Sequence, residues 1–423
     1  MKVLIVGGGG REHAIAWRIY LDSAAPEIFC APGNAGTESI ATNIPLAPDD
    51  ISGLTQWAEK NQPDLTIAGP EIPLCLGITN AFEAIGLRVF GPSKEAAAIE
   101  GSKKFSKEIM AAAGVPTARS EAFTDVQKAV TALDSYGLPV VIKADGLAAG
   151  KGVIIAESRK KAVETIEEML TGSRFGEAGS EILIEEYLAG EEASILALTD
   201  GENAVLLPSS QDHKRAYDND KGPNTGGMGA YSPAPVVPEE MLPVIKETII
   251  LPVIKELKKR GTPYKGVLYG GLMISGGRIN VLEFNARFGD PETEAVLPRI
   301  DGDLIPAFEA CIDGNLKESM VSVKRDSAVT VVMASGGYPG AYSKGIPITG
   351  LAEADAMDGC VVFHAGTKRE GRNIVTSGGR VLSVTALGSD LRSAVERAYK
   401  VAERIHFEGA HFRKDIAHRA FSR

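Results

Sequence analysis

The chain has 423 residues, 44% of them hydrophobic and 24% charged, with a formal net charge of −10 at pH 7. The length calls for roughly two to four domains sharing more than one core. The acidic balance argues against a nucleic-acid binder, and no apolar run approaches the roughly 18–20 residues of a membrane span.

In the first hundred residues, short apolar runs at 3–6, 27–30, 64–68 and 88–90 read as strands. Helical patterns lie between them at 11–22, 50–60, 76–85 and 93–100. That alternation predicts parallel strands with helices on both faces, a doubly wound α/β domain. Gly7-Gly8-Gly9-Gly10 closes the first strand and opens the first helix, where amides and the helix dipole favour an anion. Met1–Gly7 passes straight into that strand without a signal peptide's longer apolar core or its small-residue cleavage site.

A different texture begins near residue 104. A helix at 103–113 leads to buried strands at 139–143 and 152–156, separated by a glycine-rich turn. A helix over 158–170 and a strand over 181–186 follow. Residues 209–235, rich in Gly, Pro, Asn and Asp, read as a long loop outside the core, a lid over a site. From about residue 328 the pattern changes again, to strands at 330–334, 361–364 and 381–385 and a helix at 389–405. The four cysteines are scattered with no C-x-x-C pair, as expected of reduced thiols in a cytoplasmic protein.

Two nucleotide motifs fail on inspection. Counting from Gly7 or Gly8, the third glycine of G-x-G-x-x-G is replaced by Glu12 or His13, which would obstruct helix–strand packing. Gly146-Leu-Ala-Ala-Gly150-Lys151-Gly152 is one residue short of a P-loop and has glycine where the metal-binding Ser/Thr belongs. Phosphate chemistry survives in another form. Lys143 ends a strand and Lys151 sits in the glycine turn, so two ammonium groups reach over one cleft. Ile184-Glu185-Glu186-Tyr187-Leu188 runs from a strand into a linker able to meet an adenine edge, with Glu191-Glu192 beyond for ribose hydroxyls.

Farther on, Glu283, Asn285 and Arg287 alternate along one apolar run and, on a strand, share a face. A carboxylate beside an amide carbonyl suits Mg²⁺ that also holds nucleotide phosphates, and the arginine adds a fork for an anion. Gly289-Asp290-Pro291-Glu292 brings further acids to that strand's end.

Taken in order, strand–Lys, glycine flap–Lys, a Glu-Glu-Tyr-Leu hinge and a distal Glu-Phe-Asn strand resemble the ATP-grasp superfamily. Within it, the chain resembles the phosphoribosylamine–glycine ligase (glycinamide ribonucleotide synthetase) family. The likeness runs through Gly9-Gly10-Arg11-Glu12-His13-Ala14, Ala31-Pro32-Gly33-Asn34-Ala35-Gly36-Thr37, Gly69-Pro70-Glu71 and residues 142–152. It continues through Gln211-Asp212-His213-Lys214-Arg215, residues 222–231, Glu283-Phe284-Asn285 and Arg287-Phe288-Gly289-Asp290-Pro291-Glu292. The family often has Asn or Ser where Gly8 stands, and relatives in the superfamily carry an acidic metal ligand that 269–274 lacks.

This resemblance implies a doubly wound amino-terminal domain (1–103), a central ATP-grasp domain (104–315) and a small carboxy-terminal α+β domain (323–423). It implies ATP-dependent joining of glycine to 5-phosphoribosylamine through glycyl phosphate, with Mg²⁺ or Mn²⁺ on Glu283 and Asn285. Lys143, Lys151 and Arg287 would carry catalysis, and Lys103, Lys143, Lys151, Glu185, Glu186, Leu188 and Glu192 would hold ATP. Gly9, Gly10, Arg11 and Glu12 would take the sugar phosphate. Asp212, Lys214, Asp290, Pro291 and Glu292 would take glycine and the reactive amine. The expected partners are small molecules alone, on a cytoplasmic monomer with no nucleic acid or membrane. The rivals are a ligase of other substrates and a non-catalytic nucleotide sensor, which the intact lysines and metal pair disfavour.

Overall fold

The computed structural model describes residues 1–147, 152–172 and 179–422. The amino-terminal sheet is all parallel. Its order is Thr42–Asn43, Glu27–Pro32, Lys2–Gly7, Leu65–Ala68 and Val89–Phe90. Because side chains alternate along a strand, the central Val3-Leu4-Ile5-Val6 run feeds two cores. Leu4 and Val6 pack with the helices Ile51–Asn61 and Ile78–Glu83, whereas Val3 and Ile5 pack with the first helix, Gly10–Tyr20. The helix expected over 76–85 is instead two, Glu71–Leu76 and Ile78–Glu83, broken where Gly77 takes a left-handed φ of 91°. Only glycine adopts that conformation without strain.

Two antiparallel sheets form the centre. One runs in the order Ser120–Phe123, Ile182–Glu186, Val140–Ala144, Val153–Ala156, and has its own core beneath the helices Val126–Ala132 and Arg159–Thr171. The other runs Ala204–Leu206, Glu191–Asp200, Lys265–Ser275, Arg278–Asn285. A cavity of about 750 Å³ is walled by residues of both sheets.

The carboxy-terminal sheet corrects the reading of 209–235 as a lid. Its order is Gln211–Asp212, Gly229–Ser232, Ser327–Ala334, Arg380–Gly388, Cys360–His364. The glycine-rich segment therefore supplies two strands to a sheet a hundred residues away in sequence. Met228, Ala230 and Tyr231 within it are fully buried. Composition misleads here because glycine lets the backbone approach a neighbouring strand closely: a Cβ on Gly229 would stand 2.6 Å from the Thr330 carbonyl. The helix Leu391–Ala402 covers the sheet, capped by Asp390, which accepts from the Ser393 amide at 2.8 Å.

Asn34 ties the first and last domains together. Its Nδ2 donates to the carbonyls of Gly8 (3.0 Å) and His364 (2.7 Å), and its Oδ1 accepts from the Gly36 and Thr37 amides. Beside it, the His364 amide donates to His13 Nδ1 at 2.8 Å. Burial, with His364 second, lowers His13 to about 3, so it serves as a neutral acceptor. A Cβ on Gly8 would sit 2.4 Å from the Gly33 carbonyl, so this backbone has no room for a side chain there. No helix among the described residues is long and apolar enough to cross a membrane.

Candidate active site

On one side of the cavity, Lys143 leaves the Val140–Ala144 strand and its Nζ lies 3.0 Å from Glu185 Oε2. The same oxygen pairs with Lys107 Nζ at 3.1 Å. Lys143 also donates to the Leu282 carbonyl (3.1 Å), which couples the two central sheets next to Glu283. Lys103 donates to the Gly146 carbonyl at 2.9 Å and stays below its ordinary value because burial outweighs the nearby Glu283. Glu186, Leu188 and Glu192 line the same wall. Lys151 lies outside the described residues.

Glu283 and Asn285 sit opposite Gly271 and Tyr269 on the Arg278–Asn285 strand, two residues apart and both on the cavity. Burial would raise Glu283, but Lys214, Lys143, Lys103 and Arg287 outweigh it and hold the carboxylate below its usual range. Among the described residues no group of three or more His, Cys, Asp or Glu forms a metal cage. One carboxylate and one amide oxygen instead fit a hard cation that completes its shell with phosphates and water.

Arg287 does not continue that strand, as the alternation had suggested; it falls just past its end. There Nε meets Glu71 Oε2 (3.3 Å), a terminal nitrogen meets Glu100 Oε1 (3.0 Å), and another donates to the Phe288 carbonyl (3.2 Å). Glu100 Oε2 accepts from the Ala286 amide at 2.6 Å, which pins the residue after Asn285.

The opposite side of the cavity is dense in acids. Glu292 Oε1 accepts from Ser194 Oγ and from the Tyr269 hydroxyl, both at 3.0 Å. Asp212 is buried, and burial, opposed by Lys214 and reinforced by Glu292 and Glu192, pushes its carboxyl up to about 7. Lys214 pairs with Glu192 and is held well above its ordinary value by the surrounding acids despite burial. Asp290 lines the wall.

Of the first-loop residues, Arg11 reaches the cavity, whereas Gly9, Gly10 and Glu12 lie behind its wall, as does Pro291. The Gly9 amide donates to Glu12 Oε2 at 2.7 Å. Arg11 is buried, with Nε on Glu12 and another nitrogen 3.1 Å from the Phe288 carbonyl.

Several site residues escaped sequence reasoning. Lys107, Glu100, Ser194 and Tyr269 lie within ordinary helices and strands. Arg380 and Tyr338 come from the carboxy-terminal domain, where the surrounding Gly336-Gly337-Tyr338-Pro339 and Ser377-Gly378-Gly379 read only as turns. Glu71 carried a signal, in the Gly69-Pro70-Glu71 turn.

Two antiparallel sheets gripping a cavity, with lysines on one and a Glu/Asn pair on the other, define the ATP-grasp fold. A solved biotin carboxylase domain of the Hydrogenobacter thermophilus 2-oxoglutarate carboxylase, in complex with MgADP, shares that fold. Its TM-score is 0.75 at 17% identity, over 97% of this chain and 91% of that one. Family models for phosphoribosylglycinamide synthetase match in three consecutive blocks: the N domain at residues 1–100, the ATP-grasp (A) domain at 101–293 and the C domain at 328–419. The chain belongs to the phosphoribosylglycinamide synthetase family. Phosphoribosylamine–glycine ligases from Vibrio vulnificus and Pseudomonas aeruginosa are each 48% identical to it, over 100% of this chain and 99% of theirs. The crystal structure of phosphoribosylamine–glycine ligase from Thermotoga maritima superposes with a TM-score of 0.87 at 36% identity, covering 99% of this chain and 100% of that one.

Proposed function

We propose that the chain ligates glycine to 5-phosphoribosylamine at the expense of ATP, giving glycinamide ribonucleotide, ADP and phosphate. The observation that carries this reading is one continuous cavity. It holds a phosphate-ready half (Lys103, Lys143, Glu283, Asn285) and an acid-lined half (Asp212, Glu192, Glu292, Asp290). The first half suits a nucleotide triphosphate; the second suits ammonium and hydroxyl groups.

Glycine's carboxylate is a poor acyl donor, so it first takes the γ-phosphoryl group to form glycyl phosphate. The amine of phosphoribosylamine then attacks the carbonyl and expels phosphate. Neither step needs a protein nucleophile; alignment and charge neutralisation suffice. Lys143 and Lys103 would hold phosphate oxygens, and Asp212 and Glu292 would orient the amines. Lys151 would close the flap and keep water from the acyl phosphate. Glu283 and Asn285 would hold Mg²⁺ or Mn²⁺, which when bound neutralises charge on the β- and γ-phosphates. Arg287 would steady the metal strand through Glu71 and Glu100.

We take the domains as 1–103, 104–315 and 323–423, and the protein as a cytoplasmic monomer whose partners are its small substrates. Four unpaired, separated cysteines support a reducing compartment. The test is ADP release with ATP and divalent metal, omitting glycine or phosphoribosylamine in turn. Release that needs both substrates, with glycinamide ribonucleotide formed in equal amount, supports the ligase. Release unaffected by either omission would overturn it.

A further inference from the structure

The first glycine loop has little left to offer a phosphate. Its Gly9 amide is already satisfied by Glu12, and the Arg11 guanidinium is tied to Glu12 through Nε and to the Phe288 carbonyl through one terminal nitrogen. Two more carboxylates crowd the helix start. A Cβ on Gly9 would lie 3.7 Å from Asp290 Oδ2, and one on Gly10 would lie 2.5 Å from Glu294 Oε1. A phosphate dianion placed there would face the Glu12 and Asp290 carboxylates at close range. Hydroxyls and amines suit that surface better.

The carboxy-terminal domain brings a second arginine to the same cavity. Arg380 opens the Arg380–Gly388 strand and lines the wall. One of its terminal nitrogens donates to the carbonyls of Gly226 (2.6 Å) and Asp290 (2.9 Å) and meets Asp290 Oδ1 at 3.0 Å. Among the described residues, its Nε–H and the other terminal amino group have no partner, and the side chain is 21% exposed. Three charge-assisted donors are thus fixed in direction and unspent. Beside them, the Tyr338 hydroxyl accepts from the Gly226 amide at 3.1 Å, leaving its own O–H to donate. The local glycines make room for this pair. A Cβ on Gly226 would press 2.9 Å from Arg380 Cζ, and one on Gly379 would enter the Tyr338 ring at 2.3 Å.

We propose that Arg380, with the Tyr338 hydroxyl, is the seat of the sugar substrate's phosphate, and that Arg11 and Asp290 meet the ribose end. This rests on the ligase reading above and replaces the expected placement of the sugar phosphate on Gly9–Glu12. The carboxy-terminal domain thereby selects a phosphorylated amine over a free glycosylamine. Anchoring the phosphate on the rigid strand start fixes the amine's distance from the acyl carbonyl.

The test uses full-length R380Q, R380K and Y338F with three-substrate kinetics, and thermal-shift titration with ribose 5-phosphate and with ribose. R380Q should raise the KM for phosphoribosylamine about 10- to 100-fold, with the KM values for ATP and glycine within about threefold. R380K should recover part of the loss, and Y338F should raise the same KM by about 3- to 10-fold. Ribose 5-phosphate, but not ribose, should stabilise the wild type, and R380Q should lose that stabilisation. A rise in the glycine or ATP KM instead would make Arg380 a carboxylate or nucleotide contact and overturn the proposal. An unchanged KM for phosphoribosylamine would do the same. Should R380Q misfold, an unchanged phosphoribosylamine KM in Y338F decides against it. If the wild type makes no glycinamide ribonucleotide, the ligase reading fails, while the ribose 5-phosphate titration still tests the seat.

Discussion

Glu185→Gln removes one charge and almost no volume from the centre of the nucleotide wall. Glu185 Oε2 is shared by Lys143 at 3.0 Å and Lys107 at 3.1 Å, and the side chains are 2%, 8% and 11% exposed. At an effective dielectric near 20, unit charges about 3 Å apart attract by roughly 5–6 kcal/mol, part of which desolvation cancels. Removing one partner of such a buried pair costs about 3–5 kcal/mol, because the remaining charges stay buried. Lys107 is already lowered by burial, with Glu185 opposing; without Glu185 it falls further. For a cooperative unit of 150–250 residues, each kcal/mol moves the melting midpoint by about 2–4 °C, so a fall of roughly 6–20 °C is expected. The glutamine also leaves Lys143 without its charged partner and held mainly by the Leu282 carbonyl, and kcat should drop by at least about tenfold. Saturating ATP should restore more midpoint in the variant than in the wild type, since nucleotide phosphates replace the lost counter-charge; at 100 times Kd the ordinary ligand effect is about 2.7 kcal/mol. Differential scanning calorimetry with and without ATP reads the midpoints, and steady-state ADP release reads kcat. A variant within about 2 °C of wild type and equally active would refute the shared-carboxylate reasoning.

Glu283→Gln should stay folded yet lose on the order of 10²-fold in kcat, because shape is kept and the charge facing the phosphates is not; a normal rate at saturating metal would remove it from the site. Asp212 is raised to about 7, so between its unfolded value near 3.8 and 7 the native state binds the extra proton. Its contribution to stability is therefore present at low pH and declines as pH rises through that window. Urea melts of Asp212→Asn should show a shallower decline between about pH 4 and 7 than wild type, and an identical slope would count against it. Asn34→Ala strands the Gly8 and His364 carbonyls and the Gly36 and Thr37 amides, so a loss of about 2–4 kcal/mol in denaturant melts is expected. A loss under about 0.5 kcal/mol would mean that Asn34 does not join the end domains.

Local rules made much of this molecule legible in the chain itself. Short continuous apolar runs located the parallel strands, because a strand buried on both faces cannot tolerate polar residues. The Glu283/Asn285 pair was readable because alternation places both on one face whatever surrounds them. Lys143 was readable as a strand-terminal charge that only a partner could justify. What those rules do not reach is the partner. Glu185 looked like part of a hinge, yet its side chain clasps Lys143 and Lys107; the pairing depends on sheet order, which no window of sequence contains. Arg287 broke the alternation because the strand ended first, and its acids, Glu71 and Glu100, come from helices about 190–220 residues earlier. The segment 209–235 looked like a lid because glycine and proline mark loops when nothing lies beside them. Here the Ser327–Ala334 strand does, and backbone hydrogen bonding to a distant strand overrides composition. Arg380 carries no local signal at all. Its place in the cavity wall follows from a sheet that joins residues 211–232 to 327–388, so the tertiary structure alone brings a carboxy-terminal cation to face the central domain's acids.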